Sequence, residues 1–405
     1  MSAMARRPLK ICFVAPNALP LLAPACAGDR AFGGAEVQQA AIGCGLATRG
    51  FEVSFVTHAP PSRAPEAAGG ARIIPAFRAG EGMRVLRYVY PRSWTLWRAM
   101  RHADADVYYQ RSAGDLTAHV VAFCRIHGRR SVFAVANDRD VDPRRMRDKP
   151  LLDRALSRWG IRRADHVIVQ TRDQQRELRR NFGRRGQLIR SLFSFGSDRR
   201  DRSARREVLY VGNLSPKKRP EMFVELARRM AHLSFVMAGA DGDATTARRV
   251  RREAAGVPNL RIAGWVGRAE LRELYSRALA LVNTSRDEGL PNTFLEAWAQ
   301  EVPVLSLGCD PDRLLSERGL GIVCADLAGL AVQLAHLAQE PCRAAEIGRK
   351  GGVHVLTYHS PEAVLDRYVE FFERIAAERS RTSRSRSGCR DVRRSEAVAN
   401  LERAS

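Results

Sequence analysis

In the run Glu288-Gly289-Leu290-Pro291-Asn292-Thr293-Phe294-Leu295-Glu296, two carboxylates flank a glycine–proline turn. Ala280-Leu281-Val282-Asn283, shortly before it, reads as a buried strand, and Asn292 or Thr293 stands where it can cap a helix running to about Gln300. Glycine in such a turn lets backbone approach a ligand closely. The free N–H groups of a helix start bind anionic oxygens such as those of a diphosphate. Glu296, one turn in, can accept hydrogen bonds from a diol, while Glu288, just outside, can meet a sugar. The spacing alone also fits a glutamate that merely favours the helix dipole.

A second cluster carries the opposite charge. Val211-Gly212-Asn213-Leu214-Ser215-Pro216-Lys217-Lys218-Arg219-Pro220 leads from a strand into a helix whose first turn includes Glu221. Three cations at a helix start oppose the macrodipole, an arrangement that makes sense beside an anion. In the first half, Phe32-Gly33-Gly34-Ala35-Glu36 opens a helix after the first strand, and paired glycines permit close approach to phosphate or sugar. The pair is not G-x-G-x-x-G, which argues against a nicotinamide site. Asn137-Asp138-Arg139-Asp140 follows another strand; its D-x-D spacing suits Mg or Mn but is frequent by chance.

These loops need a frame. Lys10–Ala15, Glu52–Thr57, Val107–Gln110, Ser131–Ala136 and His166–Gln170 read as short strands, with a helix from about Ala35 to Thr48 after the first. A second alternating unit follows, with strands expected at Val208–Gly212, Ser234–Ala238, Asn259–Ala263, Ala280–Asn283 and Val302–Ser306. The expected fold class is α/β, two doubly wound Rossmann-like domains facing a central cleft at the carboxyl ends of their strands. The expected divisions are 1–195, a polar linker over 196–206, 207–360, a closing helix over 361–378 and a basic tail over 379–405.

Bulk composition excludes several classes. A chain of 405 residues, 45% hydrophobic and 27% charged, is globular and suits two domains. It contains no run long and apolar enough for a membrane helix. Arg6, Arg7 and Lys10 before an apolar stretch mimic a signal peptide, but Pro16, Asn17, Pro20 and Pro24 interrupt it, and a first strand is the better reading. Eight scattered cysteines form no C-x-x-C pair and suit reduced thiols in the cytoplasm. The net charge of +23 comes almost wholly from dispersed arginine; the lysines are only Lys10, Lys149, Lys217, Lys218 and Lys350. Charge alone therefore does not establish a nucleic-acid partner.

Glu288–Glu296, with Thr284-Ser285 before it and Ala297-Trp298-Ala299 after it, resembles the E-x7-E motif of glycosyltransferase family 4, retaining enzymes with the GT-B fold. The similarity runs from about Leu9 to Ile375. It implies that Glu288 contacts the donor sugar, that Glu296 holds the ribose hydroxyls, and that Gly289, Leu290, Pro291, Asn292 and Thr293 line the diphosphate and sugar. Gly212, Asn213, Lys217 and Lys218 resemble the family's G-R-L-x-x-x-K loop, with Lys218 on the leaving diphosphate and Asn213 where arginine is usual. Gly33 and Gly34 resemble the glycine loop facing that diphosphate. Asn137 and Asp138 stand where many members carry histidine.

The resemblance implies sugar transfer, of the kind used in polysaccharide biosynthesis, from a UDP or GDP donor rather than an ADP donor, with no metal and no other cofactor. The acceptor is a carbohydrate or a lipid-linked sugar. For the latter, the basic amphipathic stretch Arg84–Arg101 suggests peripheral contact with the inner face of an anionic membrane. Asn213 and Asn137 leave open a sugar-nucleotide-binding protein with weak or no turnover, and the net charge a nucleic-acid-binding one.

Overall fold

Lys10–Val14 forms β1, and its side chains divide between two interiors. Ile11 and Phe13 enter one apolar cluster, Cys12 and Val14 another on the opposite face of the sheet. A strand covered on both faces has no polar side, which is why the run is almost continuously apolar. The structure, a computed structural model, describes residues 7–24, 33–59, 67–77, 92–144, 146, 150–193, 206–286 and 288–378.

The first sheet contains β1, β2 (Glu52–Thr57), β3 (Ala67–Ala68), β4 (Ala71–Pro75), β5 (Val107–Arg111), β6 (Arg130–Ala134), β7 (His166–Val169) and β8 (Gln187–Leu188). Its spatial order is β3-β4-β2-β1-β5-β6-β7-β8, parallel except for the β3–β4 pair. Around it pack α1 (Leu19–Leu22), α2 (Gly34–Ala47), α3 (Arg92–Ala103), α4 (Asp115–Ile126), α5 (Leu151–Arg163) and α6 (Arg172–Phe182). The second sheet, all parallel, contains β9 (Glu207–Val211), β10 (Ser234–Ala238), β11 (Leu260–Gly264), β12 (Ala278–Asn283), β13 (Val304–Leu307) and β14 (Gly321–Cys324), in the order β11-β10-β9-β12-β13-β14. One face carries α7 (Pro220–Arg229), α8 (Ala244–Ala254) and α11 (Leu327–Gln339). The other carries α9 (Arg268–Arg277), α10 (Asn292–Ala299) and α12 (Pro341–Tyr358).

In both sheets the chain winds one way and then crosses back. The reversal falls between β1 and β5 in the first sheet and between β9 and β12 in the second. Ligand crevices open at such switch points, beyond the carboxyl ends of the strands.

The last described helix, α13 over 361–378, leaves the second domain and returns to the first. Val364, Leu365, Tyr368, Phe371, Phe372 and Ile375 share a buried cluster with Ile11, Phe13 and Tyr109, and the Tyr109 and Tyr368 hydroxyls are 3.3 Å apart. The expected closing helix therefore completes the core of the first domain. His359 fastens the return: its Nδ1 lies 2.7 Å from the Ser191 carbonyl, and Phe193 N–H donates to the His359 carbonyl at 2.8 Å.

The ten strands expected from the sequence all form, with ends shifted by a residue or two; the strand expected at Val302–Ser306 is β13 at Val304–Leu307. The strands β3, β4, β8 and β14 were not anticipated. They are short or lie near sheet edges, and β14 is only half-buried, so their apolar signal is thin. The expected linker and basic tail lie outside the described residues, apart from Arg206.

Candidate functional site

Two loops of the second domain leave the strands that flank its switch point. The first follows β9. Gly212 lies beside the Lys218 stem, where a Cβ would stand 3.7 Å from Lys218 Cδ, an ordinary contact distance. Arg219 adopts a left-handed conformation (φ 47°) at the start of α7. Its guanidinium donates to the carbonyls of Thr284 (2.5 Å) and Leu307 (3.1 Å), while Thr284 Oγ1 donates to the Lys218 carbonyl at 2.7 Å. Arg286 N–H donates to the Lys217 carbonyl at 3.1 Å. The basic loop is thus stapled to the loop after β12.

The second loop carries Glu288, whose side chain is only 10% exposed. Its carboxylate pairs with the Lys218 ammonium and lies 3.9 Å from Lys217 Nζ. Leu290 is buried, and α10 begins just after Pro291. Phe294, Leu295, Ala297 and Trp298 bury the far side of α10; Trp298 Nε1 donates to the Leu320 carbonyl at 2.7 Å. The helix is bolted at its back, so its start is aimed at the cleft. No side chain caps that start. Asn292 and Thr293 are helical residues, not caps, and the helix ends at Ala299 rather than Gln300. An uncapped start suits an anion, because proline as the N-cap offers no side-chain acceptor to the first-turn N–H groups.

Glu296 is half-buried and accepts the Tyr275 hydroxyl at 2.8 Å. Burial raises its pKa, while the Tyr275 hydrogen bond and Arg268 pull it down. A carboxylate held by one phenol retains a second oxygen for a diol.

The first domain closes over these loops at two points. A Cβ on Gly34 would stand 2.7 Å from Asn292 Nδ2. A Cβ on Gly289 would stand 3.0 Å from Gln174 Nε2 and 3.3 Å from Asn137 Cα. Both glycines therefore sit where the domains touch. Asn137 caps a short 3-10 turn by accepting from Arg139 N–H at 3.0 Å, and Asp138 accepts from Gln174 Nε2 at 3.0 Å. Asp140 is turned into its own loop, where it accepts from Ala136 and Asn137 N–H at 2.8 and 3.2 Å. At the edge of the contact, Asp312 accepts the N–H groups of Arg172 and Asp173 at the start of α6 (3.0 and 2.9 Å), and Asp173 accepts Asp312 N–H at 2.9 Å.

The structure thus gathers Gly34, Asn137, Asp138, Lys217, Lys218, Glu288, Gly289 and Asn292 at one cleft. Glu296 is one turn behind, and Gly33 donates its N–H to Glu36 at 3.0 Å. Asn213 is exposed at the rim. Arg219 is committed to carbonyls, so Lys217 is the second cation facing Glu288 beside Lys218. The amphipathic stretch is a helix only from Arg92, and Leu96, Ala99 and Met100 pack on its own sheet; residues 84–91 lie outside the described residues.

Sequence reading missed three supports. Gln174 is fully buried and bridges Asp138 to the Gly289 turn. Tyr275 orients Glu296. Cys309, beside Glu288, is buried and its thiol is pushed up to about 12, first by burial. All three meet the site through tertiary contact, and no local spacing marks them.

Two α/β domains of largely parallel sheet that meet across a cleft form the GT-B architecture. A family model described as Glycosyltransferase Family 4 matches residues 32–191, and one described as Glycosyl transferases group 1 matches residues 205–340. The chain belongs to this family 4-like group. Among solved structures it is similar to sucrose-phosphate synthase from Thermosynechococcus elongatus, with TM-score 0.73 and 18% identity over 92% of this chain and 100% of that one. Anabaena Alr3699/HepE in complex with UDP gives TM-score 0.67 and 14% identity over 90% of this chain and 100% of that one. A glycosyltransferase from Rickettsia africae gives TM-score 0.65 and 13% identity, covering 91% and 99%. At these identities the likeness is one of fold.

Proposed function

We propose that the chain is a retaining glycosyltransferase that moves a sugar from a UDP- or GDP-linked donor to a carbohydrate or lipid-linked acceptor, in the cytoplasm and without a metal. The observation that carries this reading is the meeting of Lys218, Glu288 and the uncapped start of α10 where the two domains touch, at Gly34 of the first and Gly289 of the second. As the bond between the anomeric carbon and the diphosphate breaks, negative charge grows on the leaving oxygens. Lys218, Lys217 and the N–H groups of α10 are placed to stabilise it. Glu288 then exchanges its ammonium partner for a sugar hydroxyl, and Glu296 holds the ribose diol. Retention and metal independence rest on the family resemblance. UDP is the first donor to test, since HepE was solved with UDP and with UDP-glucose.

Thermal-shift titration with UDP-, GDP- and ADP-sugars identifies the nucleotide, with the largest stabilisation expected for a UDP- or GDP-sugar. Turnover in EDTA and the anomeric coupling constant of the product test the rest. Inversion, or loss of activity restored only by Mg or Mn, refutes the corresponding part. Donor binding with no transfer to any acceptor would favour the binding-protein reading. For a lipid-linked acceptor, the outer side of α3 offers Trp94, 57% exposed, with Arg98 at 5.7 Å from its ring centroid. Co-sedimentation with anionic but not neutral vesicles is then expected.

A further inference from the structure

We propose that the acceptor is a sugar bearing an anionic group, phosphate or carboxylate, which Arg111 and Arg92 receive in a cavity of about 290 Å³ over the β1/β5 switch point. The proposal rests on the glycosyltransferase reading and names the substrate class for its second ligand.

Arg111 ends β5 and is only 6% exposed. Neither it nor Arg92 pairs with a carboxylate among the described residues, and Arg111 Nε has no hydrogen-bond partner. Its guanidinium leans toward the Tyr368 hydroxyl, which is neutral because burial raises that phenol's pKa. A buried guanidinium that no carboxylate pairs directly is costly, and its fork matches phosphate or carboxylate geometry. Gln39 is 3% exposed and lines the same cavity, and its Oε1 is also unpartnered. Arg92 reaches the cavity from the other face of the sheet, held 4.7 Å above the Phe77 ring.

The remaining lining suits hydroxyl groups. Asn17 Oδ1 lies 3.1 Å from His58 Nε2, Ser93 Oγ lies 3.3 Å from His119 Nε2, and the carboxylates of Glu36 and Asp115 stand at the wall. A volume at the small end for ligand sites fits a single sugar unit better than a long glycan. Ser112, in the same wall, has φ 76°, a conformation that costs a non-glycine residue energy and recurs at ligand sites. The cavity also adjoins the donor loops. Glu36 accepts Gly33 N–H at 3.0 Å, and the next residue, Gly34, touches Asn292.

The test is calorimetric binding to the full chain in the presence of UDP, with glucose 6-phosphate, glucuronate and glucose as probes, and a polyprenyl-phosphate-linked sugar in micelles as a fourth. At least one anionic probe is expected to bind tenfold or more tightly than glucose. Arg111→Met or Arg92→Gln should remove that advantage while UDP affinity and Tm stay unchanged. Arg92 is half-buried in the first turn of α3, so its variant keeps the test open if Arg111→Met fails to fold. Binding of the soluble phosphate or uronate identifies a free acidic sugar; binding of the micellar probe alone identifies a lipid-borne phosphate. Equal affinity for glucose and every anionic probe overturns the proposal, as does an advantage that survives both substitutions. Loss of the donor reading would appear separately, as no UDP binding in the unmodified chain.

Discussion

Glu288 is the counter-ion of two lysines at once, and in the proposed donor site a diphosphate would compete for both. Lys218→Ala is expected to lower kcat by about 10²-fold or more, since it removes a cation aimed at charge that grows in the transition state. Glu288→Gln should lower kcat similarly while donor binding persists, as read by single-turnover kinetics beside UDP titration. Full activity in both variants would remove these residues from the site. Glu296 makes a prediction of a different kind. Its pKa is raised, chiefly by burial, so the folded chain holds this proton more tightly than the unfolded chain does. Ionising it therefore costs stability as pH rises through the raised value. At neutral pH, Glu296→Gln should leave Tm unchanged or higher yet weaken nucleotide binding. In the unmodified chain, UDP affinity should begin to fall on acidification at a pH higher than an ordinary glutamate would give. The charged residues of this site were legible because glutamate, lysine and glycine stand at fixed offsets from a strand end. Gln174 and Cys309 were not, since each meets Glu288 or its turn only after separate segments have packed.

A helix can present its start to a ligand only if its other end is fixed. Trp298 fixes α10, and Gly351 of α12 packs against it so closely that a Cβ there would stand 2.4 Å from Trp298 Cδ1. One turn earlier, a Cβ on Gly348 would stand 2.0 Å from the Glu301 carbonyl oxygen, which is backbone and cannot yield cheaply. Gly348→Ala should destabilise the fold by about 1–3 kcal/mol, seen as a lower Tm. Gly34→Ala should behave differently. Its added methyl meets only the Asn292 side-chain end, so Tm should change little while KM for the donor rises. The strands that frame these helices could be read from the sequence because burial on both faces leaves uninterrupted apolar runs. The edge strands β3 and β8 could not, and neither could the partner of α13. Its stripe of Val364, Leu365, Tyr368 and Phe372 declares an apolar face without saying which domain receives it.

The chain crosses between the domains twice, and His359 ties the second crossing to the segment that enters the first. Burial lowers its pKa to about 3, and burial lowers that of neighbouring His354 to about 4. Both are neutral in the folded chain. Their contribution to stability is complete above the ordinary histidine value of 6.5 and is lost as pH falls toward about 4 and then 3. Calorimetry should show Tm falling across that interval, and His359→Gln should flatten the slope. The return of α13 also sets an order for synthesis. The second domain is continuous in the chain, so its core is complete once residue 358 has left the ribosome. The first domain, although its strands emerge earlier, lacks the side chains at 364–375 that cover Ile11, Phe13 and Tyr109. Six buried side chains at about 1.5–3 kcal/mol each exceed the margin by which most domains are stable. The domain made first must therefore wait, partly uncovered, for a segment made after the whole second domain, and a nascent chain stalled near residue 360 should be the species that chaperones hold.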